Sequence, residues 1–319
     1  MKISVIITVY NREKTIARCM ESVLNQDFGD YELIVVDDGS TDGTPHIVRG
    51  YEGAFLSRLR IIRQANGGVA AARNTGLGAA QGDYVTYLDS DDYMLDGALS
   101  RMAAALGDGE YDQIVYDAET VGADGGRRTF APFHDGVRLE EGDITPGELL
   151  LTNPCPWNRL IRRGLFRAVF GAKDPFPRGM WYEDLAAIPM LAVATERAGY
   201  IAQAMVCYDQ SGDSIMRHRG YDPHFDDIFP VCDRLRKALS FRFPVETEYL
   251  VWEHLLVTGG KRYLACRKRA LMKRCAAYMA EYYPAWRDNP LVKREPEKKR
   301  YLASMICSGR YLALKLLGK

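Results

Sequence analysis

No stretch of this chain approaches the roughly 20 consecutive apolar residues that a membrane-crossing helix needs. The opening run Ile3–Val9 is too short and too β-branched for a signal peptide, and no small-residue cleavage site follows it. Seven cysteines (Cys19, Cys155, Cys207, Cys232, Cys266, Cys275 and Cys307) form no C-x-x-C pair and are odd in number, which argues against a disulfide framework or zinc site and fits a reducing compartment. No G-x-G-x-x-G follows an early strand, and Gly76-Leu77-Gly78 falls late in a helical segment, so a dinucleotide oxidoreductase is disfavoured. Neither repeats nor low-complexity tracts occur. His46, His134, His224 and His254 have no metal-ligand spacing. These absences point to an intracellular globular protein, placed in the cytoplasm or against the inner membrane face.

Overall charge is also missing, since 42 Lys and Arg balance 42 Asp and Glu, yet the balance is uneven along the chain. Residues 261–319 hold 16 of the basic residues and only 4 of the acidic ones, a net of +12, which leaves −12 on the first 260. A basic tail on an acidic body suits peripheral contact with an anionic membrane surface; a solvated helical face is the alternative. No nucleic-acid partner is expected. With 319 residues, 47% hydrophobic and 26% charged, the chain can bury one large domain with an appendage.

The β-branched run Ile3–Val9 reads as a strand buried on both faces. Ile16, Cys19, Met20, Val23 and Leu24 then recur with helical spacing. Further strands are expected at 33–36, 59–63, 84–88 and 113–116, and helices at 44–51, 68–80 and 95–106. This alternation predicts an α/β fold with a mainly parallel sheet flanked by helices. Such sheets bind ligands beyond the carboxyl ends of their strands, where polar clusters lie at 8–11, 37–42 and 89–92. From about residue 220 the texture becomes helical, with expected helices at 226–240, 247–283 and 301–317. The expected division is therefore a nucleotide-binding and catalytic domain over 1–220 and a helical, basic C-terminal region over 221–319.

Asp89-Ser90-Asp91-Asp92 places three carboxylates within four positions. Crowded carboxylates repel, and a divalent cation relieves the repulsion. Mg²⁺ or Mn²⁺ takes one or two such oxygens and completes its shell with water and diphosphate oxygens. Together with Ser4-Val5-Ile6-Ile7-Thr8-Val9-Tyr10-Asn11, Val36-Asp37-Asp38-Gly39-Ser40-Thr41-Asp42 and Gly68-Val69-Ala70-Ala71-Ala72-Arg73-Asn74-Thr75-Gly76, this segment forms an ordered series that closely resembles the family 2 glycosyltransferases, which have the GT-A (Rossmann-like) fold. The resemblance covers 1–120 strongly and 150–220 more loosely. It implies transfer of a sugar from a nucleotide-sugar to an acceptor hydroxyl. Thr8, Tyr10 and Asn11 would lie at the nucleotide, with Tyr10 packing on the base. Asp38 would accept from the base's ring N–H, which favours UDP. Asp89 would sit near the ribose and, with Asp91, at the metal; Arg73 and Asn74 would flank the donor. Pairing of Arg73 with the acidic cluster is the alternative, as are turn formation and helix capping for Asp37 and Ser40.

The second half resembles the family at Trp181-Tyr182-Glu183-Asp184-Leu185, where Asp184 would be the base that deprotonates the acceptor, with Glu183 beside it. A plain preference of acids for a helix N-terminus is the competing explanation. Trp157, within Pro156-Trp157-Asn158-Arg159, would offer a face to the acceptor sugar or else fill the core. Arg217, in a late loop, would meet the diphosphate, with His218 a further candidate metal ligand. The implied reaction is a single inverting displacement. The chain has neither the Gln-x-x-Arg-Trp motif nor the membrane helices of the processive synthases. It therefore fits addition of one or a few sugars to a lipid-linked or glycan acceptor in cell-surface glycan synthesis. A nucleotidyltransferase would need a Gly-rich loop where Tyr10-Asn11-Arg12-Glu13 stands. The remaining alternative is a catalytically inactive sugar-binding or scaffold protein on the same fold.

Overall fold

The structure, a computed structural model, describes residues 2–107, 111–134, 137, 139–210 and 220–310. Its centre is a ten-stranded sheet in the order β3-β2-β1-β4-β9-β6-β10-β5, with β7 added to β6 and β8 to β10. The strands are β1 (Ile3–Val9), β2 (Tyr31–Asp37), β3 (Leu59–Arg63), β4 (Tyr84–Asp89), β5 (Tyr93–Met94), β6 (Gln113–Val121), β7 (Arg127–Phe130), β8 (Gly142–Ile144), β9 (Arg159–Arg162) and β10 (Ala198–Asp209).

The first four helix-flanked strands match the expectation. β3-β2-β1-β4 is wholly parallel, and Ile3, Val5, Ile6, Ile7 and Val9 of β1 are at most 2% exposed, as their β-branched run requires. Beyond β4 the sheet is mixed rather than mainly parallel. β9 runs antiparallel to both β4 and β6, and β10 is parallel to β6 but antiparallel to β5 and β8. Neither β9, only four residues long, nor β10, bulged at Ile201–Val206 and carrying Gly199 and Gln203, has the periodicity that announces a strand.

Helices close both faces. The helix Gly68–Ala79 lies directly on β1: a Cβ at Gly76 would fall 2.4 Å from Ile6 Cγ2, so only glycine permits this approach. Ile16–Leu24 covers the other face with Ile16, Cys19, Met20 and Val23 buried.

From Pro223 to Cys307 every described element is helical. The expected helix over 247–283 is broken. Pro244–Val251 continues into a π-helical stretch Trp252–Gly259 and the helix Gly260–Ala265, then stops at Arg267, which sits at φ 57, before Arg269–Tyr282 resumes. The last described helix starts earlier than expected, at Glu297, and ends at Cys307; residues 311–319 lie outside the described part. These helices have no core of their own. Trp252, Tyr263, Met279 and Ile306 share one buried cluster with Val115, Leu149, Leu185 and Tyr200 of the preceding region. Among the described residues no helix is long and apolar enough to cross a membrane.

Candidate active site

The sheet changes direction at β1, which has β2 on one side and β4 on the other, so the carboxyl ends of these strands open a crevice. Thr8, half-buried, lies in register with Val36 of β2 and Asp89 of β4. Tyr10 follows, 45% exposed and open to solvent. Asn11 sits at φ 51, and two bonds hold it there. Its N–H donates to Ser40 Oγ at 3.0 Å, and its Oδ1 accepts from Thr41 N–H at 2.8 Å. Asn11 therefore ties the β1 loop to the β2 loop. Asp37 accepts from Ser40 N–H at 2.8 Å, so Asp37 and Ser40 form the turn that the sequence allowed as their alternative role.

Asp38 is 4% exposed and accepts three hydrogen bonds, from Gln64 Nε2 (2.7 Å), Gly67 N–H (2.9 Å) and Gly68 N–H (2.8 Å). It pins the start of the helix Gly68–Ala79, with two of the three bonds on Oδ1 and one on Oδ2.

The second wall is acidic. Burial and the neighbouring Asp89 raise Asp91, and raise Asp92 much further. Asp92 accepts from Asp209 N–H at 2.8 Å through one oxygen, while its Oδ2 is buried with no hydrogen-bond partner. Arg12 approaches Asp91 only to 3.7 Å, and Arg18 meets the Asp91 carbonyl at 2.7 Å and the Asp209 carboxylate at 2.8 Å. This surplus of negative charge fits a divalent cation. Among the described residues no group of three or more His, Cys, Asp or Glu converges into a metal cage, so the rest of such an ion's shell must come from water or substrate oxygens. Arg12 and Arg18 were not marked out by the sequence, Arg18 lying 73 residues before its Asp91 contact, and Asp209, which opens the late loop that carries Arg217, comes from the unpredicted β10.

Arg73 joins the two halves of the site. Only 6% exposed, it donates to Glu183 Oε1 at 2.7 Å and to Asp89 Oδ1 at 3.3 Å. Burial alone would lower its pKa, but Asp89, Glu183 and Asp184 hold it above the ordinary value. The pairing weighed as the alternative for Arg73 is thus the one found. Glu183 and Asp184 open the short helix Glu183–Ala187, preceded by Tyr182 in the left-handed region at φ 63. Asp184 is pushed up to about 7 by burial and then by the adjacent Glu183.

Two candidate residues make their contacts within the protein interior. The amide of Asn74 is taken up by the protein: its Nδ2 donates to the Phe176 carbonyl at 2.7 Å and its Oδ1 accepts from Phe176 N–H at 3.1 Å, so it clamps a neighbouring backbone. Trp157 takes the core position that the sequence left open as its alternative. It is 6% exposed, stacked on Tyr208 at 5.4 Å and packed against Phe130 at 5.8 Å, a core residue. The half-buried tryptophan beside the acid pair is Trp181, stacked on His224. Arg217 and His218 lie outside the described residues.

A family model described as "Glycosyl transferase family 2" matches residues 4–170. Among curated relatives, the chain is 36% identical over 130 residues to the uncharacterized glycosyltransferase EpsJ of Bacillus subtilis, covering 41% of this chain and 37% of EpsJ. It is 29% identical over 244 residues to the putative glycosyltransferase EpsE of Bacillus subtilis, covering 75% of this chain and 84% of EpsE. The chain spans less than half the length of the first curated relatives it matches, 37% of EpsJ and 48% of EpsH. In three dimensions it resembles S. aureus TarS 1-349 in complex with UDP, with a TM-score of 0.73 at 20% identity over 98% of this chain and 88% of TarS 1-349. The same TarS segment in complex with UDP-GlcNAc gives 0.68 at 22%, over the same 98% and 88%. The mannosyltransferase PcManGT of Pyrobaculum calidifontis, in complex with GDP-Man and Mn²⁺, gives 0.54 at 18%, over 99% of this chain and 87% of PcManGT. These structural likenesses establish a shared GT-A-like fold.

Proposed function

The chain belongs to glycosyl transferase family 2, with a GT-A-like fold, and from that premise we propose that it moves a sugar from a UDP-sugar to an acceptor hydroxyl in cell-surface glycan synthesis, inverting the anomeric centre. The observation that carries the proposal is the constellation around Arg73, which holds the acidic donor loop and the Glu183–Asp184 pair in one cleft. UDP as carrier is supported by the TarS complexes with UDP and UDP-GlcNAc.

Thr8 and Tyr10 border the base, and Asp38 takes its ring N–H. Asp184 receives the acceptor proton as the hydroxyl oxygen bonds to the anomeric carbon, while the bond from that carbon to the diphosphate breaks and the nucleoside diphosphate departs. A carboxylate pushed up to about 7 is matched to this task, because it is basic enough to accept the proton late in bond formation yet about half ionised at neutral pH. Glu183, paired with Arg73, keeps the guanidinium in place between the two acids. Asp91, with the free oxygen of Asp89, would hold a Mn²⁺ or Mg²⁺ ion that offsets charge on the departing diphosphate. The acceptor is a glycan or lipid-linked hydroxyl, and the basic residues from Lys261 onward would bring the enzyme to an anionic membrane surface.

The test is thermal stability with UDP, GDP, dTDP, CDP and ADP, with and without Mn²⁺, in wild type and Asp91→Asn. A ligand that binds only the folded state raises the melting temperature, by the equivalent of about 2.7 kcal/mol at a hundredfold excess over Kd. A Mn²⁺-dependent rise with UDP alone, lost in Asp91→Asn, is expected. No rise with any nucleotide would overturn the donor assignment, and donor binding without turnover would favour a sugar-binding scaffold.

A further inference from the structure

The acid pair opens a helix of only five residues, Glu183–Ala187, too short to fix its own direction. Its direction is set by Tyr182, at φ 63 and ψ 33, a conformation disfavoured for any residue with a Cβ. The restraint comes from the C-terminal helices. Arg262 Nη1 donates to the Tyr182 hydroxyl at 2.6 Å, and the guanidinium carbon lies 5.3 Å from the centroids of both the Tyr182 and the Phe225 rings. One residue earlier, Trp181 N–H donates to Asp227 Oδ2 at 2.9 Å, and the Trp181 ring stacks on His224 at 6.0 Å with 11° between planes. Tyr263, next to Arg262, donates to the Phe225 carbonyl at 2.9 Å, fixing 223–227 to the same helix.

We infer that Arg262 is a positioning residue for the transfer reaction: by holding Tyr182 left-handed, it aims Asp184 at the acceptor side of the cleft. The inference rests on the reading of Asp184 as the base. The contacts that fix the β1 and β2 loops come from elsewhere, from Ser40, Thr41, Gln64, Gly67 and Gly68, and the acidic loop, besides its bond to Arg73, is held by Thr15, Arg18 and the Asp209 N–H. Loss of Arg262 should therefore disturb proton removal and leave nucleotide binding intact. If Tyr182 relaxes toward an ordinary conformation, the first turn of its helix swings, and a displacement of about 1 Å in a reacting group can cost about a hundredfold in rate.

The experiment compares wild type, Arg262→Met, Arg262→Lys, Tyr182→Phe and the Arg262→Met/Tyr182→Phe double variant in three measurements. Amide hydrogen exchange is read at Ala186 and Ile188, whose N–H groups bond to the Tyr182 and Asp184 carbonyls at 2.9 and 2.8 Å. The second measurement is the melting-temperature rise given by UDP with Mn²⁺. The third is turnover of the UDP-sugars UDP-GlcNAc and UDP-glucose. Expected are exchange about tenfold faster in Arg262→Met and in Tyr182→Phe with no further gain in the double variant, and an unchanged UDP response. Turnover should fall by about a hundredfold at unchanged donor KM, with part of the loss recovered in Arg262→Lys, which retains one donor.

Unchanged exchange at Ala186 and Ile188, acceleration spread evenly over all the C-terminal helices, or losses that multiply in the double variant would each overturn the inference. If wild type itself turns over no nucleotide-sugar, the proposed function is what fails, and the exchange measurement still decides whether Arg262 holds Tyr182.

Discussion

Asn11 and Asp38, on the proposed donor side of the cleft, find their partners 26 to 30 residues away, in loops that belong to the same four-stranded parallel block. The proposed acceptor side is held from much further off. Glu183 meets Arg73 across 110 residues, Tyr182 meets Arg262 across 80, and Trp181 meets Asp227 across 46. Each donor loop is a local turn at the end of a buried strand, and neighbouring turns lock one another. The acceptor segment has no such frame; its short helix takes direction from the central helix Gly68–Ala79 and from the C-terminal helices. The donor side can therefore keep its geometry when a distant contact is lost, and the acceptor side cannot.

The sharpest break of this contrast is Asp184→Asn. Turnover should drop by about 10²–10⁴-fold, while the UDP-induced rise in melting temperature stays as in wild type. An undiminished turnover in a folded variant would remove Asp184 as the base. The same residue gives a pH signature. Its folded-state pKa, pushed up to about 7, lies above the unfolded value near 3.8, so the native state holds a proton that the unfolded state has released between those values. Its contribution to stability is thus present below about pH 4 and lost as pH rises through about 7. Asp184→Asn should melt higher than wild type at pH 8 and no higher at pH 4. Wild-type kcat/KM should fall about tenfold per unit of pH below that pKa.

Trp157→Ala comes next and probes the residue for which the sequence left two roles open. A core tryptophan reduced to alanine costs about 3–5 kcal/mol of stability. Read by denaturant unfolding, that loss should appear with little change in acceptor KM at a temperature where the variant is still folded. A stable variant with a raised KM would restore Trp157 to the acceptor site.

Smaller again is Asn74→Ala, which removes both bonds to the Phe176 backbone and should cost about 1–3 kcal/mol, with donor KM unchanged. A donor KM raised in proportion to a fall in kcat/KM would return Asn74 to the donor side.

How much of this was legible follows from the same contrast. β1 and β3 end where their β-branched and apolar runs end, and the turns after β1, β2 and β4 announce themselves as Tyr10-Asn11, Asp37-Asp38-Gly39-Ser40 and Asp89-Ser90-Asp91-Asp92, because local chemistry decides them. The Glu183–Asp184 pair was visible only by resemblance. What held it was not, since Arg262 looks like any other residue of a basic helix, and a left-handed tyrosine has no sequence mark. Trp157 and Asn74 were ambiguous for a related reason. An aromatic ring and an amide can serve either core or ligand, and only the stacking of Tyr208 on one and the Phe176 backbone against the other decide which. β9 and β10 escaped because their pairing, not their pattern, makes them strands.

The smallest expected effect tests whether the donor side is as self-contained as this comparison makes it. Arg18 is an exposed long-range tie on that side, reaching the Asp91 carbonyl at 2.7 Å and Asp209 on β10 at 2.8 Å, with its guanidinium 4.7 Å from the Tyr93 ring centroid. Its side chain is 45% exposed, so solvent screens the pair, and exposed ion pairs are worth about 0–1 kcal/mol. Arg18→Gln should then change stability by less than about 1 kcal/mol and raise donor KM by no more than about fivefold, with kcat unchanged. The acidic loop would still be held by Thr15 Oγ1, which donates to the Ser90 carbonyl at 2.9 Å, and by Arg73 on Asp89. A loss of a hundredfold or more in kcat/KM would mean that β10, reaching back from the middle of the chain, organises the donor loop as firmly as the C-terminal helices organise Tyr182, and the two sides of the cleft would no longer differ in kind.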